Sequence, residues 1–183
     1  MKKIILIIQL FNFLFCHSFS EAFIEVAHSA NPCVVSIISE KEINSNYNHF
    51  FFPHGNQPPN QNFKNNSLGS GVIIDASNGY IITNNHVIDQ ADQIKVLLYN
   101  NREFNAEIIG VDPMSDIAVL KIEASNLSQI TLGNSAELSV GQWIVAIGSP
   151  FGINLNHTVT AGIISAVGRS EVISRMNFEN FIQ

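Results

Sequence analysis

A histidine and an aspartate thirty residues apart are the first candidates for chemistry in this chain. His86 follows a short β-branched run, and Asp116 stands at the head of the apolar run Ile117–Ile122. A carboxylate at the start of a buried strand is costly unless it has a partner. An imidazole is a natural partner, because the carboxylate fixes the ring's tautomer and stabilises the imidazolium formed when the ring accepts a proton. Either residue alone would more often be a packing or surface residue, so the pair is what suggests proton transfer.

Short β-strands must position this pair. The β-branched and apolar runs are Val34–Ile38, Gly71–Asp75, Tyr80–Thr83, Gln93–Tyr99, Phe104–Val111, Ile117–Ile122, Trp143–Gly148 and Thr158–Val167. Ser77-Asn78-Gly79 is a tight-turn signal between two of them. Only residues 21–30 have a helical spacing, enough for one or two turns. Short strands separated by turn residues predict an all-β barrel or sandwich.

The segment 40–67 interrupts this pattern. It carries eight asparagines and three prolines, so it buries little apolar surface, and we expect a mobile loop. Inside it lies the aromatic cluster Phe50-Phe51-Phe52. This cluster is either an exposed docking surface or a group that folds back on its own barrel.

The first twenty residues are typical of an export signal. Lys2 and Lys3 precede the apolar run Ile4–Phe15, which is too short to span a ~30 Å hydrocarbon core, for which about 20 residues are needed. We place the cleavage after Ser20, and an uncleaved membrane anchor is the alternative.

The composition excludes some partners. Without residues 1–20 the chain has 9 − 2 = 7 Lys and Arg against 15 Asp and Glu. An acidic chain without a basic stripe predicts no nucleic-acid binding. Cys33 would be the one remaining cysteine, and we expect a buried small hydrophobe rather than a disulfide or a nucleophile. We expect no metal and no small-molecule cofactor.

Five blocks of the chain, in matching order and spacing, resemble the HtrA/Deg family of trypsin-like serine proteases. The blocks are Leu68–Ile74, Tyr80–Ile88, Asp116–Ile122, Val140–Gly152 and Thr158–Arg169. The resemblance implies a chymotrypsin/trypsin-like double β-barrel with His86 as the general base and Asp116 as the orienting carboxylate. It also implies a periplasmic serine endopeptidase that degrades misfolded envelope proteins and a homotrimeric assembly with contacts near Phe23.

One part of the family pattern is missing. The family's nucleophile lies in a Gly-Asn-Ser-Gly-Gly motif shortly after a segment similar to Phe178–Gln183, where this sequence ends. Gly133-Asn134-Ser135 is followed by Ala136 and Glu137 instead of glycines. The nucleophile's turn needs glycines to direct two N–H groups at one oxyanion, so Ser135 is expected to be a linker residue.

We therefore expect no peptide hydrolysis by these residues alone. A degenerate, non-catalytic binding protein on the same barrel is the alternative, and the block-by-block match disfavours an unrelated β-barrel carrier of small ligands. The expected organisation is a signal peptide at 1–20, an N-terminal segment at 21–31, a complete first barrel at 32–122, and a linker with a truncated second barrel at 123–183, without PDZ domains.

Overall fold

The computed structural model describes residues 20–43, 63–149, 157–169 and 181–183. The expected signal sequence before Ser20, the Phe50–Phe52 cluster and residues 150–152 of the fourth family block lie outside these ranges. Within the described ranges, no helix has the length and apolar character needed to cross a membrane.

The described elements are mostly strands, in the order that the sequence predicts. They are helix α1 (20–30), a 3-10 turn at Asn31–Cys33, β1 Val34–Ile43, β2 Phe63–Asp75, β3 Tyr80–Thr83, helix α2 Asn85–Ile88, β4 Gln93–Leu97, β5 Glu103–Asp112, β6 Ile117–Ile122, a 3-10 turn at Ser135–Glu137, β7 Trp143–Gly148 and β8 Thr158–Ile163. Helix α1 is longer than the one or two turns expected. A long-range contact supports it, because Phe23 packs edge-on against Trp143 with the ring centroids 5.8 Å apart.

Six strands form a closed antiparallel barrel in the order β1-β2-β3-β6-β5-β4. Strand β1 closes the ring, since it pairs with β2 on one side and with β4 on the other, where Ser36 lies opposite Leu97. Alternate side chains of each strand point inward, and Val35, Ile37 and Leu120 are fully buried in the resulting core. The expected all-β architecture is confirmed, with a closed barrel as its first part.

Both ends of the segment 40–67, which was predicted to be a loop, are strand in the structure. Strands β1 and β2 continue into it as an antiparallel ladder that runs from Glu40 opposite Asn66 to Ile43 opposite Phe63. Such a ladder satisfies main-chain N–H and C=O groups whatever the side chains are, so a polar, Asn-rich composition does not prevent it. The middle of the segment, residues 44–62, lies outside the described residues.

The predicted turn between β2 and β3 is present. Gly79 has a positive φ of 73°, and a Cβ added there would lie 2.0 Å from the main-chain oxygen of Ile122. The Asp75 carboxylate accepts hydrogen bonds from the main-chain N–H groups of Ser77 and Asn78. The turn therefore fixes where β3 begins, and β3 leads directly to His86.

A two-stranded antiparallel sheet of β7 and β8 follows the barrel, with Trp143 opposite Ile163. Strand β8 ends at Ile163, whereas the sequence pattern continued to Val167. Beyond Ile163 the partner strand has ended, and the N–H groups of Ile164 and Ala166 donate instead to the main-chain oxygens of Gln142 and Gln183. Strand β4 likewise ends at Leu97, because Leu98 enters a turn by donating to Arg102.

Cys33 lies where the sequence suggested. It is a free thiol with 3% of its surface exposed, and its Sγ lies 3.7 Å from the main-chain oxygen of Ser29. Burial raises the pKa of this thiol, which makes it a small apolar residue of the fold rather than a nucleophile.

Candidate active site

The barrel topology brings His86 and Asp116 to one edge. Strands β3 and β6 are antiparallel neighbours, and Thr83 at the end of β3 lies opposite Ala118 near the start of β6. His86 lies in α2, directly after β3, and Asp116 directly precedes β6. Two residues thirty positions apart in sequence are therefore neighbours in space.

The two side chains are in hydrogen-bond contact. The His86 Nδ1 atom lies 2.6 Å from Asp116 Oδ2, and the main-chain N–H of His86 donates to Asp116 Oδ1 at 2.8 Å. Both carboxylate oxygens are thus directed at one histidine, and the predicted proximity is observed. Within the described residues, nothing hydrogen-bonds to His86 Nε2, and 71% of the side-chain surface is exposed.

Asn84 completes this arrangement, and the sequence analysis missed it. Its amide nitrogen donates to Asp116 Oδ2 and to the Asp116 main-chain oxygen, both at 3.1 Å. The signal in the sequence was the pair Asn84-Asn85 between a strand and the histidine, since asparagine side chains hydrogen-bond readily to nearby groups.

Asp116 has a left-handed backbone with φ of 55°, which aspartate tolerates better than most residues do. Its main-chain oxygen accepts from the N–H of Asn85 at 3.1 Å. The preceding turn is closed by Asp112, whose carboxylate accepts from the N–H of Met114 and the hydroxyl of Ser115. The Ser115 hydroxyl, followed by the Met114 N–H, lowers the pKa of the Asp112 carboxyl.

The surroundings of Asp116 favour its charged form. Only 15% of its side chain is exposed, and this burial by itself would raise the pKa of the carboxyl. The main-chain N–H, ring and charge of His86 and the amide of Asn84 outweigh the burial, so the pKa of Asp116 is lowered. An ionised, partly desolvated carboxylate therefore faces the ring at neutral pH, the arrangement that orients an imidazole as a base.

Helix α2 is held by close packing against the barrel. A Cβ added to Gly69 would lie 2.6 Å from both γ-carbons of Val87, so the helix approaches β2 only because Gly69 has no side chain. The buried hydroxyl of Ser39 donates to the Val87 main-chain oxygen at 2.6 Å. Because Val87 directly follows His86, these two contacts fix the histidine backbone.

The other candidate residues lie away from this pair or are engaged. Ser135 lies in an exposed 3-10 turn, and the side-chain oxygen of the capping residue Asn134 accepts a hydrogen bond from the N–H of Ala136. The hydroxyls of Ser70 and Ser149 are both hydrogen-bonded within the fold. No three His, Cys, Asp or Glu side chains of the described ranges are grouped so that they could hold a metal ion.

Comparison with known proteins agrees with this fold. Residues 69–183 match the family of the trypsin-like peptidase domain, and the chain belongs to that family. Within it, the chain is similar to HtrA/Deg proteases, which confirms the resemblance seen in the five sequence blocks.

Two curated relatives illustrate the similarity. The probable periplasmic serine endoprotease DegP-like of Marinomonas sp. (strain MWYL1) is 44% identical over an alignment of 182 positions, which covers 88% of this chain and 38% of the relative. Periplasmic serine endoprotease DegP of Salmonella typhimurium is 53% identical over 130 residues, 70% of this chain and 26% of the relative. The chain thus spans well under half of the length of these relatives.

Solved structures show the same likeness. The HtrA-type protease AlgW with tripeptide has a TM-score of 0.72 and 39% identity, and the match covers 88% of this chain and 45% of AlgW. AlgW with decapeptide has a TM-score of 0.71 and 38% identity over 88% of this chain and 50% of AlgW.

Proposed function

We propose that this chain supplies the proton-transfer half of a serine endopeptidase of the HtrA/Deg kind. The observation that carries the proposal is the contact between His86 Nδ1 and Asp116 Oδ2, at 2.6 Å, together with the His86 main-chain hydrogen bond to the second carboxylate oxygen. His86 is the general base, and Asp116 is the carboxylate that orients it.

The proposed chemistry follows from this geometry. With Nδ1–H donating to Asp116, the tautomer leaves the lone pair on Nε2, which is on the exposed side chain and free to accept a proton from an attacking hydroxyl. The Asp116 charge then stabilises the imidazolium, which returns the proton to the leaving amine. Asn84 and the main-chain N–H of His86 keep the carboxylate in place throughout.

Residues 1–183 alone are proposed not to hydrolyse peptide bonds. They contain no Gly-Asn-Ser-Gly-Gly sequence, and their candidate serines are poor substitutes. Ser149 is 4% exposed, and Ser70 Oγ accepts a hydrogen bond from the Ser149 N–H. Ser135 is not followed by the glycines that an oxyanion-binding turn requires. The alternative is a non-catalytic binding protein on the same barrel, and it too rests on the lack of a Gly-Asn-Ser-Gly-Gly sequence in residues 1–183.

The proposed substrates are unfolded or misfolded proteins, and the proposed location is the periplasm after export by residues 1–20. The relatives' names, periplasmic serine endoproteases, support both the activity and the location. A homotrimer with contacts near Phe23 is the proposed assembly. No nucleic acid and no cofactor take part in the proposed reaction.

A chimera tests the base and the carboxylate. Residues 1–183 are joined to the remainder of the protease domain of the Salmonella DegP relative, and hydrolysis of unfolded casein is measured. We expect His86→Ala to reduce turnover to background and Asp116→Asn to reduce it by about 10⁴, because the asparagine favours the wrong tautomer. His28→Ala, which changes an exposed histidine of α1, is the matched control and should retain full activity.

The unextended chain is assayed beside the chimera. Equal background signals from the 183-residue chain and its His86→Ala variant are expected. Cleavage by the chain that is lost in the variant would mean that a substitute nucleophile exists. An active chimera that is insensitive to His86→Ala would overturn the proposed role of the histidine.

A further inference from the structure

A cluster of three serines joins the barrel to the sheet of β7 and β8. Ser36 on β1 and Ser70 on β2 are cross-strand partners, so their side chains lie on the same face of the barrel. The hydroxyls of Ser36 and Ser149 lie 2.7 Å apart, and the Ser149 N–H donates to Ser70 Oγ at 2.7 Å. Ser149 directly follows β7, so both contacts hold the end of that strand.

Ser36 is buried although its side chain points away from the barrel core. Its neighbours Val35 and Ile37 point into the core, and side chains alternate along a strand, so Ser36 points out of the barrel. It is nevertheless 1% exposed, and Ser149 is 4% exposed. The second sheet therefore seals this face, and the polar groups trapped there need partners, since an unpaired buried donor is costly.

The close approach depends on a glycine at the end of β7. A Cβ added to Gly148 would lie 2.9 Å from Ser70 Oγ. The strand end therefore reaches the Ser70 hydroxyl only because Gly148 carries no side chain. A contact that requires both a hydroxyl and an adjacent glycine is a specific joint rather than general apolar packing.

Ser70 also contacts the segment that leads to His86. Its main-chain oxygen accepts a hydrogen bond from the Thr83 hydroxyl at 2.8 Å. Thr83 is the last residue of β3 and precedes His86 by three residues. One residue is thus bonded through its side chain to the second sheet and through its main chain to the histidine-bearing edge of the barrel.

We propose that Ser70 is a positioning residue, which fixes the sheet of β7 and β8 in its place relative to the barrel edge that carries His86. The importance of this position for catalysis rests on the proposed function. There His86 activates a hydroxyl, and the family pattern places that hydroxyl shortly after the segment Phe178–Gln183 of the expected second barrel. The joint itself does not depend on catalysis and can be measured separately.

The test is amide hydrogen exchange in the full 183-residue chain and its Ser70→Ala variant. Loss of the acceptor should speed exchange at the Ser149 amide about tenfold, and the amides of β7 should follow. The amides of Ile81 and Leu120 in the barrel core should keep their rates. The emission of Trp143, the chain's single tryptophan, on β7, should shift in the same variant.

Two further variants separate this joint from general stability. Ser70→Thr retains the hydroxyl and should restore protection of the Ser149 amide. Ser39→Ala removes another buried β1 serine, whose hydroxyl bonds to Val87, and should loosen α2 while leaving Ser149 protected.

Three results would overturn the proposal. They are unchanged exchange at Ser149 in Ser70→Ala, equal acceleration throughout the barrel and the sheet, and a threonine variant as loose as the alanine variant. Because exchange needs no turnover, each of these results is distinct from a failure of the casein assay.

Discussion

The barrel and the two-stranded sheet contain similar strands in very different surroundings. In the barrel, β1 to β6 close on themselves, and Ile81 on β3 is fully buried. In the sheet, β7 and β8 pair only with each other among the residues that the structure describes, and Ile163 on β8 is 47% exposed. An isoleucine contributes to the core where its side chain faces the closed interior of the barrel, as that of Ile81 does. Residue type and closure alone do not decide this, since Ile108 on β5 of the same barrel is 49% exposed.

The two regions should differ most in the stability lost when one isoleucine in each is shortened to alanine. Ile81→Ala should lower the free energy of unfolding by about 2–5 kcal/mol, because it removes buried methyl groups and leaves a cavity. Ile163→Ala should cost less than about 1 kcal/mol, since much of that side chain already contacts water. Urea unfolding followed by circular dichroism measures both. Similar losses in the two variants would show that the sheet is as well packed as the barrel.

A pair of glycine substitutions should give an intermediate effect. Gly69→Ala places a methyl group against Val87 and should destabilise the barrel by about 1–3 kcal/mol while displacing the helix that carries His86. Gly162→Ala on β8 has nothing within 4 Å of its new Cβ and should be neutral or slightly stabilising. Thermal unfolding gives the stabilities, and the ring resonances of His86 report the displacement. An unchanged melting temperature in Gly69→Ala would contradict the close packing of α2.

The smallest expected effect is a difference in acid sensitivity. Burial lowers the pKa of His157 below its ordinary value of 6.5. The histidine is therefore protonated less readily in the folded protein than in the unfolded chain. Stability from this source is complete above about pH 6.5 and falls as the pH drops toward the folded pKa. His157 contacts Tyr99 of the barrel edge-on, with centroids 4.9 Å apart, so the loss should appear first at this contact.

The barrel should respond to acid at a lower pH. The pKa of Asp116 is lowered from 3.8, so its stabilising contribution is present above that value and is lost only as the pH falls through the folded pKa. Lowering the pH from 7 to 3 should reduce the amide protection of β8 before that of α2. His157→Gln should abolish the earlier loss of protection in β8. Simultaneous loosening of both regions would contradict this order.

The sequence alone predicted the bounds of those strands that have turn residues at both ends. Tyr80–Thr83, Ile117–Ile122 and Trp143–Gly148 have the bounds that the pattern predicted. It failed for the extension of β1 and β2 into the Asn-rich segment, because main-chain pairing is insensitive to the composition on which the loop prediction relied.

The candidate site likewise contains contacts that the sequence predicts and contacts that it does not. The proximity of His86 and Asp116 could be predicted, since a carboxylate at the head of a buried strand needs a partner. The role of Asn84 depends on a left-handed aspartate, and the contact of Ser36 with Ser149 joins residues 113 positions apart. The serine contact has no local signature, and the Asn84-Asn85 pair is an ambiguous one, because serine and asparagine are common in ordinary turns.

The order of strands along the chain has a consequence for how the molecule assembles. All six barrel strands lie between Val34 and Ile122, and the ring closes when β1 pairs with β4, across the separation between Ser36 and Leu97. A growing polypeptide therefore possesses a complete first folding unit before β7 has been synthesised. Domains fold as units, with the N-terminal one first, so the closed barrel can serve as the preformed surface on which the later strands are added.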